Sequence, residues 1–151
     1  MQKMSFLIII TIIISIFGCG ESETTPNPTD NDDNSAEIRL EEKFSLKIDQ
    51  VVTVNPVNIK VKFLKVTEDS RCPSDVVCIW AGQVSVLLNV NNNGNDIGDV
   101  KLTLGQNKDD TVRDIGGYYL KLIEVKPYPI STKKIEQSEY IITLIISKSK
   151  D

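Results

Sequence analysis

The chain of 151 residues is long enough for one domain, carries a formal net charge of -4, and contains no histidine. An acidic chain with scattered Lys and Arg has little with which to neutralise phosphates, so nucleic acid is not an expected partner. The absence of His removes Ser-His-Asp and Cys-His nucleophiles and His-ligated zinc or haem, and no metal, cofactor or catalytic constellation is expected.

The chain opens with Lys3 ahead of an apolar run from Phe6 to Phe17, FLIIITIIISIF, interrupted only by Thr11 and Ser15. A membrane-crossing helix needs about 20 apolar residues, so this run reads as the core of a secretory signal. It ends at Ile16-Phe17-Gly18-Cys19, which resembles the lipobox of bacterial lipoproteins, with Phe17 where the pattern usually has a smaller residue. The resemblance implies a signal peptide over 1–18, removed after the Cys19 thiol has become a diacylglyceryl thioether. The expected place is the bacterial cell envelope, lipid-anchored, facing periplasm or medium, with the outer membrane favoured.

Gly20 to Ala36 reads GESETTPNPTDNDDNSA, without a large apolar residue. Such a stretch buries too little apolar surface to offset chain entropy, so 19–36 is expected to be the lipidated Cys followed by a disordered acidic linker. Fully extended, it would reach about 60 Å. Glu21 and Glu23 are also weakly similar to the acidic surface-export signal of some lipoproteins.

From Glu37 the pattern changes to a period of two. Phe44, Leu46 and Ile48 alternate with polar residues, as do Val57, Ile59, Val61 and Phe63. Further runs hold Val84, Val86, Leu88 and Val90; Val100, Leu102 and Leu104; Tyr118, Leu120 and Leu122; and Tyr140, Ile142, Leu144 and Ile146. Alternation of this kind places one face of a strand in a core and the other in water. Asn91 to Asn95 supplies an Asn-Gly turn, Gly105 and Gly116-Gly117 bracket an acidic loop, and Pro127-Tyr128-Pro129 ends a strand. The expected fold over 37–151 is therefore all-β, a single small β-sandwich or barrel-like domain of six or seven strands. The last run is apolar at almost every position, which predicts a central strand covered on both faces.

With Cys19 assigned to lipid, Cys72 and Cys78 remain, an even pair in an oxidising compartment. Zinc would need ligands that the chain does not have, so the pair reads as a disulfide closing a short loop. Trp80 reads first as a core plug packed on that disulfide, or else as an exposed aromatic anchor for a ligand. Asp69 and Arg71 read as a local ion pair or as caps, while Glu68, Asp69 and Asp75 supply three carboxylates that would have to converge to hold a cation such as calcium.

The stretch Glu68-Asp69-Ser70-Arg71-Cys72-Pro73, four residues, Cys78, one residue and Trp80-Ala81-Gly82 resembles a motif of bacterial secreted proteins and lipoproteins of unassigned activity. The resemblance implies an extracytoplasmic β domain and no particular activity. The leading functional expectation is a membrane-tethered binding module with a protein or glycan partner in the envelope. Its contact loop would contain Glu68, Asp69, Arg71, Asp75 and Trp80. The alternatives are a protease inhibitor presenting the disulfide-held loop, with Arg71 as a specificity residue, and a carboxylate-based enzyme.

Overall fold

The computed structural model describes residues 35–150. The expected signal 1–18, the lipidation site Cys19 and the linker as far as residue 34 lie outside the described residues. Nine strands follow one another: β1 (Ser35–Arg39), β2 (Lys43–Lys47), β3 (Val51–Asn55), β4 (Ile59–Asp69), β5 (Val84–Asn92), β6 (Asn95–Leu104), β7 (Val112–Asp114), β8 (Tyr119–Lys126) and β9 (Ile141–Ser147). They form a five-stranded sheet in the order β1-β3-β4-β5-β6 and a four-stranded sheet in the order β2-β9-β8-β7. The protein is an all-β sandwich.

The two sheets face each other through the residues that the period of two selects. Phe44 and Leu46 of β2, Ile59, Val61 and Phe63 of β4, Val86, Leu88 and Val90 of β5, and Ile142, Leu144 and Ile146 of β9 are all buried in one core. Two irregularities in β4, between Phe63 and Lys65 and between Val66 and Glu68, change the phase of the strand. The first turns Lys65 outward and Val66 inward, as a bulge that adds one residue to one strand does.

Of the nine strands among the described residues, against the six or seven expected, three match none of the six alternating runs. β1 is polar in sequence and exists through edge pairing with β3, from Ser35 opposite Val51 to Arg39 opposite Asn55. β3 reads VVTVN, with Val51 beside Val52 putting apolar residues on both faces, and β7 has only three residues, so in neither does a period stand out. Ser35 and Ala36, expected in the linker, belong to β1. β9 is central, between β2 and β8, but its outer face is only half covered, with Ile141, Thr143 and Ile145 partly exposed. The Asn91–Asn95 turn is found: Asn93 and Gly94 connect β5 to β6 with φ of 48° and 86°, the two positive values that a tight hairpin of this hand demands.

β4 ends and β5 begins at the same end of the larger sheet, so residues 70–83 cap that end. β1 is parallel to β3 and β3 antiparallel to β4, so β1 runs away from this loop and starts level with Lys62, in the half of β4 far from it.

Candidate functional site at the disulfide loop

The two arms of the β4–β5 connection continue the ladder beyond the strand ends. Ser70 N–H donates to the Gln83 carbonyl at 2.8 Å, and Cys72 N–H to the Ala81 carbonyl at 2.9 Å. Gly82 makes this approach possible. Its φ is +71°, and a Cβ there would lie 1.8 Å from the Ser70 carbonyl oxygen. Above these rungs Cys72 and Cys78 form the disulfide, with Cα atoms 5.9 Å apart.

Arg71 ties the base of the loop to the opposite sheet. Its buried guanidinium donates from Nε to Asp69 Oδ1 at 2.8 Å and from Nη2 to Asp69 Oδ2 at 2.6 Å, a two-pronged ion pair. The remaining donors reach the chain that leaves β8, with Nη1 on the Val125 carbonyl at 2.7 Å and Nη2 on the Pro127 carbonyl at 3.0 Å. The guanidinium also lies 4.9 Å from the centre of the Tyr128 ring, within cation–π range. Tyr140, just ahead of β9, donates its hydroxyl to Asp69 Oδ2 at 3.0 Å. Arg71 and Asp69 together thus join the end of β4 to the end of β8 and the start of β9, with every buried polar side-chain atom paired among the described residues.

The electrostatics follow from that packing. Burial pushes the Asp69 carboxyl up, but the hydrogen bonds and charge of Arg71, with the Tyr140 hydroxyl, outweigh it and hold Asp69 below the usual carboxylate value. Burial, and then the hydrogen bond to the Asp69 carboxylate and its charge, push the Tyr140 phenol up to about 12.

A second strut fixes the tip. Ser74 N–H donates to the Pro129 carbonyl at 2.9 Å, and Ser131 N–H to Asp75 Oδ1 at 2.8 Å, with the Ser131 hydroxyl on Asp75 Oδ2. These two donations from Ser131, hydroxyl first, hold the Asp75 carboxyl below its usual value. The segment Pro127–Ser131 is thereby bound alongside the cysteine loop.

What this framework presents to solvent is apolar. Seven large hydrophobic side chains are exposed among the described residues, and six lie on these two adjoining segments: Val76, Val77, Ile79, Trp80, Tyr128 and Ile130. Val77 is fully exposed, Ile79 is 94% exposed and Trp80 74%. Trp80 is therefore not the core plug that its position beside a half-cystine suggests. Arg71 is buried and fully engaged, so it is not an exposed specificity residue.

The acidic residues of the loop do not converge. Asp69 faces Arg71, Asp75 faces Ser131, and the exposed Glu68 accepts from Gln83 Nε2 at 3.4 Å and Ser70 Oγ at 3.3 Å. Among the described residues no group of three carboxylate or thiol side chains is placed to hold a metal ion. A groove of about 350 Å³ beside the loop is lined by Glu68, Asp69, Lys133, Lys134 and Tyr140. Its amines are already paired, Lys133 with Glu139 and Lys134 with Glu136. Val76, Val77, Ile79, Tyr128 and Ile130 were not among the expected contact residues. Their signal in the sequence is an aliphatic and aromatic run between and just after two half-cystines, where no strand has room to bury it.

Comparison of the chain with protein-family models, with curated proteins and with solved structures found no match.

Proposed function

We propose that this protein is a lipid-anchored, extracytoplasmic binding module of the bacterial cell envelope, with the Cys72–Cys78 loop and the adjoining Tyr128–Ile130 segment as its contact surface. The observation that carries the reading is the concentration of exposed apolar side chains on one braced loop pair, since exposed apolar patches mark interaction sites. The disulfide and the Arg71 network support it, because a surface already held in shape loses less entropy on binding. The anchor rests on the lipobox-like Ile16-Phe17-Gly18-Cys19 and on the resemblance of the cysteine-loop motif to secreted proteins and lipoproteins.

Two measurements test it. Mass spectrometry of the native protein is expected to find a chain beginning at acylated Cys19, with Cys72 and Cys78 oxidised, and an intact Met1 would refute the anchor. Chemical cross-linking in whole envelopes, comparing the native chain with Trp80→Ala, is expected to show contacts that depend on Trp80. Identical patterns would remove the loop from the argument.

A further inference from the structure

We infer that the envelope component contacted by the loop pair is the lipid bilayer itself, with Val77, Ile79 and Trp80 inserted into its interfacial region; this inference rests on the loop being the contact surface. Residues 72–82 and 127–132 contain one charged side chain, Asp75, and its carboxylate is occupied by Ser131. Charge inside a bilayer is costly, and a surface this free of it is suited to lipid. The shape agrees. Val77 and Ile79 project from the tip with almost their whole surface in water, a convex form that needs a matching pocket in a protein partner but none in a bilayer.

Trp80 and Tyr128 are the residue types that settle at the headgroup level, where one part of the ring is apolar and the other wet. Lys126, Lys133 and Lys134 flank the apolar segments, and each is paired with a glutamate: Glu124, Glu139 and Glu136. The face therefore carries no positive excess to select anionic lipid, and apolar burial drives the contact. Backbone groups cannot enter hydrocarbon unpaired, so insertion is limited to side chains at the tip. Rungs such as Cys72 N–H to Ala81 and Ser74 N–H to Pro129 keep the backbone below it satisfied.

Trp80 is the sole tryptophan of the chain, so its fluorescence reports directly on the tip. The test uses the native protein reconstituted into phosphatidylcholine vesicles. The expected result is blue-shifted Trp80 emission, quenched by lipids brominated on their acyl chains and insensitive to salt. In Val77→Ser/Ile79→Ser both signals should be lost, while flotation with vesicles through Cys19 persists. Native protein that floats while Trp80 stays in water and open to acrylamide overturns the lipid contact alone. If cross-linking still depends on Trp80 in that case, the contact surface stands and its partner is a protein. Protein that neither floats nor inserts overturns both the contact and the anchor. Insertion by a chain that lacks acylation supports the loop contact and refutes the anchor.

Discussion

Replacing Asp69 by Asn keeps the outline of the side chain and removes its charge, which isolates what the ion pair contributes. Asp69 and Arg71 have side chains 10% and 6% exposed, so the substitution leaves a guanidinium in a site from which water is excluded. Removing one partner of a buried pair costs about 3–5 kcal/mol, because the remaining charge stays desolvated. Asn still offers one oxygen to Arg71 Nε, and the Val125 and Pro127 carbonyls remain, so the lower end, about 3 kcal/mol, is expected. For a domain of this size that lowers Tm by about 10–15 °C. The pH dependence is the sharper signature. Because the fold holds the Asp69 carboxyl below its ordinary value of 3.8, its contribution is complete above about pH 5. It disappears as the pH falls through the lower folded value. Urea unfolding followed by far-UV circular dichroism should therefore show a gap between the parent and Asp69→Asn that is constant near neutrality and closes in acid. A gap below about 1 kcal/mol at neutral pH, or one unchanged in strong acid, would refute the reasoning. Adding Arg71→Met to Asp69→Asn should recover part of the loss, since the stranded charge is then gone.

Three further outcomes follow from the loop. Gly82→Ala places a Cβ against the Ser70 carbonyl at a positive φ and should cost about 3 kcal/mol or more in urea unfolding; a neutral result would show that the loop arms separate freely. Replacing Cys72 and Cys78 by Ser should lower stability by about 2–3 kcal/mol with strand content unchanged by circular dichroism, and equal midpoints would mean that the disulfide constrains nothing. Trp80→Ala should change unfolding free energy by less than about 0.5 kcal/mol, as for an exposed side chain; a loss of about 3–5 kcal/mol would place Trp80 in the core after all.

The sequence by itself determined an all-β domain and its core faces and pointed to the disulfide, while the choice of a sandwich over a barrel came from the two separate sheets. Alternation at Phe44 and Leu46, at Ile59 to Phe63 and at Ile142 to Ile146 is a local property of strands, so it survives without knowledge of what packs opposite. The pairing of Cys72 with Cys78 was the expectation left once Cys19 is assigned to lipid, and the Asn93-Gly94 hairpin follows from backbone preference. Only the tertiary structure decided β1 and β7, which exist by virtue of a neighbouring strand edge, and the exposure of Trp80. It also brought Pro127–Ser131 against the loop and joined Arg71 to Val125, Pro127 and Tyr128 across more than fifty positions of chain. Burial at such a position depends on which distant segments pack beside it in the folded chain, and no local pattern encodes that. Arg71 stacks on Tyr128 at the base of the loop, and the apolar tip faces outward.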